Sequence, residues 1–315
     1  MPTTYIIGHQ KPDTDAVVAA MALAELHENT PTQPDHANSV PVIADPLNPE
    51  TTFLFEKFGV TAPRQITAAD ITAEDKVILV DHNEESQRMT GINPDQIVNI
   101  VDHHKANINF NAPICLVFRP WGSTSTIMYH MMKTKNVTPS KTIAALMLAA
   151  ILSDTVGFKS ATTTPKDKEY GEELAKIAEI SDVEAFTLEI FKAKSDVSAL
   201  SDEEIVKNDF KVFEFGKKTM IDQLETVEQD MILTEKKASL LAAMQSVKAE
   251  LGVELLFVAI TDILKVNTKL LILGNAEAQV AQDAFGGTVT DNILDIGPKM
   301  SRKKEIAPAI EKALA

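Results

Sequence analysis

The chain has 315 residues, 44% of them apolar, one cysteine and a formal net charge of -15, with a pI near 4.9. That length exceeds what one compact core usually serves, so two domains are expected, and the acidity excludes a broad basic surface for long nucleic acids. Cys115 alone can neither close an internal disulfide nor build a thiolate metal site. The opening residues lack the basic start and apolar run of a signal peptide, and no segment is long enough to span a bilayer. The expected location is therefore cytoplasmic, with no membrane partner.

Short apolar runs alternate with helical patterns through residue 191, which predicts an α/β domain whose mainly parallel sheet is covered on both faces and flanked by helices. In chain order the elements are a strand at Tyr5-Ile6-Ile7, a helix over Ala16–His27 and strands at Val77–Val80 and Ile97–Val101. Helices follow at Thr124–Lys133 and Thr142–Leu152, the second so apolar around Leu146-Met147-Leu148 that it belongs in the core. Ser181 and Glu184 have capping-box spacing for a helix to about Phe191, after which Lys192–Ser198 turns polar and aperiodic. The expected division is a metal-binding catalytic domain over 1–191, a linker over 192–198 and a smaller mixed α/β domain over 199–315. Strands near Phe210–Phe215, Glu254–Thr261 and Lys269–Leu273 are predicted there, with a long helix over Thr234–Leu251 stopped by Gly252.

Ionisable residues follow each first-domain strand: His9, Asp13 and Asp15, then Asp81 and His82, then Asp102, His103 and His104. Strand ends converge in a parallel sheet, at the crevice where open α/β sheets bind ligands. Ser153-Asp154-Thr155, leaving the buried helix, adds a carboxylate from a further segment. Each piece alone is weak, because Asp after a strand is a common turn former or helix cap, and His27, His36 and His130 are read as non-catalytic. Jointly, such carboxylates would repel one another unless cations neutralised them. Imidazole with carboxylate and no sulfur suits Mn²⁺, Co²⁺ or Mg²⁺. Gly122–Thr126 reads as a helix cap and Gly286-Gly287 as a helix stop, while Lys211 alternates onto the face of Phe213 and Phe215.

Gly8-His9-Gln10-Lys11-Pro12-Asp13-Thr14-Asp15, with Asp102-His103-His104, resembles the DHH phosphoesterase superfamily. Ser301-Arg302-Lys303-Lys304 is similar to the Ser-Arg-Lys-Lys motif of the second domain in one branch, the family II, manganese-dependent inorganic pyrophosphatases. The resemblance implies a DHH domain and a DHHA2-like domain with the active site in the cleft between them, closing about the linker. It implies hydrolysis of pyrophosphate to two orthophosphates by a metal-bridging hydroxide. Two Mn²⁺ per subunit are implied, Co²⁺ being an alternative: one on His9, Asp13 and Asp81, the other on Asp15, Asp81, His103 and Asp154. Asp81 would bridge ions about 3.5–4 Å apart, and Asp102 and His82 would orient ligands. His104, Lys211, Arg302 and Lys303 are the implied catalytic and substrate-binding residues, with further Mg²⁺ arriving on the substrate. A homodimer through edge strands of the first domain is also implied.

Two other readings compete. A DHH-type phosphodiesterase or nucleotide phosphatase is disfavoured by Arg302-Lys303 and the missing basic surface; a non-catalytic metal-binding protein is disfavoured because every implied ligand is present.

Overall fold

The computed structural model describes residues 2–30, 38–197 and 200–315. His36 and Ser198 lie outside them. The chain forms two compact units, Met1–Ala193 and Lys194–Ala315.

In the first unit β1 (Thr4–Ile7), β2 (Ser39–Ile43), β3 (Arg64–Gln65), β4 (Lys76–Val80), β5 (Ile97–Asp102) and β6 (Cys115–Phe118) form one sheet, in the order β3-β2-β1-β4-β5-β6. Every pairing is parallel. The central strands are apolar on both faces because both are covered; all four residues of β1 are buried. The helices are α1 (Thr14–Asn29), α2 (Pro49–Phe58), α3 (Thr124–Thr134), α4 (Lys141–Asp154), α5 (Pro165–Ala178) and α6 (Val183–Lys194).

The two faces of the sheet are covered differently. Residues of all these helices share one core with Ile6, Ile78, Val80 and Val101. The opposite face, with Tyr5, Ile7, Leu79 and Ile100, packs instead on Ile66, Met89, Ile92 and Phe110 from loops. Handedness accounts for this. From β1 the chain steps outward one way and from β4 the other, so right-handed crossovers fall on opposite faces. The β4–β5 and β5–β6 crossovers contain no α-helix.

The second unit is a mixed sheet of β7 (Phe210–Glu214), β8 (Lys218–Thr226), β9 (Leu255–Asp262), β10 (Asn267–Ile272) and β11 (Ile293–Gly297), ordered β11-β10-β9-β8-β7. Only β8 and β9 run parallel among its pairings, joined by α8 (Gln229–Glu235) and α9 (Lys237–Leu251). With α7 (Asp202–Val206), α9 covers one face; α10 (Asn275–Phe285) and α11 (Ala307–Leu314) cover the other. One π-helical turn, Arg302–Ile306, leads into α11.

Three expected boundaries shift. The single helix over 234–251 is two helices that meet at Lys236, although Gly252 does stop the second in a left-handed conformation. The cap of α6 is Asp182, not Ser181: its carboxylate accepts from the Ala185 amide. That helix continues to Lys194, so Lys192 and Ala193 are helical.

Candidate metal centre

The strand order reverses between β1 and β4, which makes their C-terminal ends the switch point of the sheet. Gly8 leaves β1 against the first turn of α1, where a Cβ would lie 2.7 Å from Ala16 Cβ and 2.8 Å from its carbonyl oxygen. This tight passage delivers His9, then Asp13 as N-cap of α1, accepting from the Ala16 amide at 3.0 Å, then the buried Asp15. Asp81 follows β4 directly and is 1% exposed with φ +60°. β5 delivers Asp102, His103 and His104, and α4 ends on Asp154.

The ligand atoms form overlapping groups within 4.8 Å: His9, Asp13 and Asp81; Asp15, His103 and Asp154; and Asp81, His103 and His104. His9 Nε2 lies 3.6 Å from Asp13 Oδ1 and 3.7 Å from Asp81 Oδ2, while His103 Nε2 lies 3.4 Å from Asp81 Oδ1. Asp81 thus faces both sides of the cluster.

The tautomers follow from the partners. His9 Nδ1 bonds the Gln10 carbonyl at 2.8 Å and His103 Nδ1 the Trp121 carbonyl at 2.9 Å. A carbonyl only accepts, so Nδ1 carries the hydrogen and Nε2 presents a lone pair to the cluster. His104 differs, for its Nδ1 donates to Asp102 Oδ1 at 2.9 Å and so points a hydrogen, not a lone pair, toward that side. Geometry alone would admit His104 to the third group, but its Nδ1 hydrogen is engaged by Asp102.

Electrostatics tell the same story. Burial, then the charges of Asp15 and Asp13, push the Asp81 carboxyl well above its ordinary value, and burial with Asp15, Asp13 and Asp81 does the same to Asp154. Burial also lifts Asp102, but hydrogen bonds from His104 and Asn83 more than offset it and draw the carboxyl down to about 2. Burial lowers the His82 imidazole to about 4, and its Nδ1 bonds the Val80 carbonyl. His82 Nε2 has no hydrogen-bond partner among the described residues, and its ring stands edge-on to His9 at 6.4 Å. It is a neutral packing surface for His9.

Supports that sequence reasoning missed lie close by. Ser123 caps α3, as the Gly-Ser-Thr-Ser-Thr pattern suggests, but the same turn also grips Asp15: the Thr124 amide donates at 2.6 Å, the Ser125 amide at 2.9 Å and the Ser125 hydroxyl at 2.5 Å. Thr124 Oγ1 donates to Asp81 at 2.9 Å. Asn83 joins Asp102 to the loop after His104 through Lys105 and Asn107. The cluster opens into a cavity of about 610 Å³ lined also by Trp121 and Thr162–Thr164. Only the run of small hydroxyl residues at 123–126 hinted at any of this.

The remaining expected residues sit in the second unit. Lys211 lies on β7 with Nζ 5.6 Å from the centre of the Phe213 ring. Arg302 opens the π-helical turn and is bound by Asp209, and Lys303 beside it is exposed. His27 bonds Ser39 and His130 bonds Tyr170, neither at the cluster.

The donor set fits divalent cations that accept imidazole and carboxylate, because it holds oriented Nε2 lone pairs, repelling buried carboxylates and no sulfur.

Residues 3–151 match the family model described as the DHH family N-terminal domain, and residues 188–313 match the DHHA2 domain. The chain is 38% identical to the manganese-dependent inorganic pyrophosphatase of Methanocaldococcus jannaschii over 98% of each chain, and 37% identical to that of Bacillus subtilis over 100% of each. A crystal structure described as a family II inorganic pyrophosphatase of Methanococcus jannaschii aligns over 99% of each chain, with TM-score 0.63 and 36% identity.

Proposed function

Since the chain belongs to the manganese-dependent, family II inorganic pyrophosphatases, we propose that it hydrolyses inorganic pyrophosphate to two orthophosphates with manganese as cofactor. One observation carries this reading: His9, Asp13 and Asp81 adjoin Asp15, His103 and Asp154 at the switch point of the sheet, with Asp81 reaching both groups.

On this reading each group would hold one divalent cation, with Asp81 placed to serve both. Two such cations would neutralise phosphate charge and supply water acidified toward neutral pH. His9 and His103 offer Nε2, each fixed in its tautomer by a backbone carbonyl. The amides at the start of α3 hold Asp15 in place, and Thr124 does so for Asp81. His104, half exposed and anchored by Asp102, is left to meet a phosphate oxygen. Lys211, Arg302 and Lys303 supply the fixed positive charge that pyrophosphate still requires once the carboxylates have balanced the metals. Co²⁺ substitutes for Mn²⁺, and additional Mg²⁺ comes with the substrate.

The enzyme acts in the cytoplasm as a homodimer through the first unit. Edge strand β6 supports this, with Leu116 44% and nearby Ile108 37% exposed. A sedimentation mass equal to one 34.4 kDa chain would refute it. Among the described residues no helix is long and apolar enough to cross a membrane.

Supplying Mn²⁺ with either pyrophosphate or a dinucleotide tests the substrate. Phosphate release from pyrophosphate with the dinucleotide left intact is expected; rapid cleavage of the dinucleotide alone would assign a phosphodiesterase.

A further inference from the structure

We propose that Asp209 is a positioning residue that holds the Arg302 guanidinium, through one N–H and an ion pair, in place for a substrate phosphate. The inference rests on the pyrophosphatase reading, in which Arg302 binds substrate, and concerns contacts within the second unit.

The grip begins in the middle of β8, where Asp222 and Gln223 are buried between apolar neighbours. Asp222 Oδ1 accepts from the Asp209 amide at 2.9 Å, and the Asp209 carbonyl accepts from the Gln223 amide at 3.1 Å. Asp209, just ahead of β7, is therefore fixed through its backbone. The same residue then takes Arg302 twice: Arg302 Nη1 donates to the Asp209 carbonyl, and Nη2 lies 3.0 Å from Asp209 Oδ1. Gln223 anchors the other end of the arginine, accepting from the Arg302 amide at 2.9 Å while its own Nε2 donates to Thr261 Oγ1 and the Met300 carbonyl. Main chain and guanidinium of Arg302 are thus held from adjacent residues of one rigid strand.

A guanidinium has five N–H groups in a fixed plane. Asp209 accepts one of them, from Nη1, and faces Nη2 with its carboxylate. The N–H groups that Asp209 does not take are of the kind that pair with phosphate oxygens. The cost of the arrangement is visible in Asp222, whose Oδ2 is buried with no partner among the described residues. A surface ion pair would not justify that, since the Asp209 side chain is 63% exposed and such pairs contribute little to stability. Holding a long, flexible side chain still before substrate arrives gives the arrangement a function.

The test is steady-state hydrolysis of pyrophosphate by the Mn²⁺-loaded full chain, comparing wild type, Asp209→Ala, Asp209→Asn, Arg302→Ala and the double variant Asp209→Ala/Arg302→Ala. Asp209→Ala should raise KM roughly tenfold, the scale seen when the support of a functional group is removed, with a smaller change in kcat. Asp209→Asn keeps Oδ1 as an acceptor and should restore most of the loss. In the Arg302→Ala background Asp209→Ala should add nothing, as expected for two residues acting as one unit. An unchanged or lowered KM in Asp209→Ala, or an undiminished effect without Arg302, overturns the proposal while leaving the pyrophosphatase reading intact. Failure of the wild type to release phosphate overturns both.

Discussion

A left-handed backbone at a buried aspartate is unusual, and Asp81 accepts it at the end of β4, where φ is +60°. The turn aims its carboxylate at His9 on one side and His103 on the other. Its position has an electrostatic consequence. Burial and neighbouring carboxylates raise Asp81 and Asp154, so without cations the folded chain retains protons that an unfolded chain releases above a pKa of about 4. Stability from these groups is greatest at acidic pH and falls as pH rises through the raised values, because the native state there binds more protons than the unfolded one. Divalent cations replace those protons. Added Mn²⁺ should therefore raise the melting temperature over an EDTA-treated control by more at about pH 8 than at about pH 5. Thermal melts at both pH values check this, and an equal shift would show that these carboxylates do not hold the metal.

At the scale of elements, one short segment leading into the first turn of α3 supports several residues of the cluster at once. Trp121 accepts from His103, and Thr124 and Ser125 hold Asp15 and Asp81. Asp167 fixes this segment by accepting from the Gly122 amide and the Thr126 hydroxyl. A Cβ on Gly122 would lie 2.6 Å from Thr155 Cγ2 and 2.8 Å from Asp167 Oδ2, so the segment must shift. Gly122→Ala should weaken Mn²⁺ binding roughly tenfold, measured by equilibrium dialysis; unchanged affinity would mean that the segment does not position the ligands.

Elements announced themselves in the sequence according to how simple their surroundings are. β1, β4 and β5 lie in the middle of a parallel sheet, buried on both faces, and read as plain apolar runs. β2 was obscured by Pro41 and β8 by Asp222 and Gln223, polar residues that serve Arg302 rather than the core. The cluster was legible as Asp and His after strands because sheet topology gathers such ends. Its supports were not, since Asn83, Thr124 and Asp167 act through contacts between residues 19 to 45 positions apart.

For the whole molecule, acidity and polyanion chemistry are compatible. A net charge of -15 leaves room for a small polyanion, because divalent cations held in one site would reverse the field there. Metal loading and turnover are therefore expected to be one property of the chain. Metal content and phosphate release from pyrophosphate, determined on the same sample as Mn²⁺ is titrated into chelator-treated protein, test this most directly. The expected result is phosphate release that rises with loading and levels off at about two ions per chain. Full turnover after the metal has been removed, or none at full loading, would contradict it.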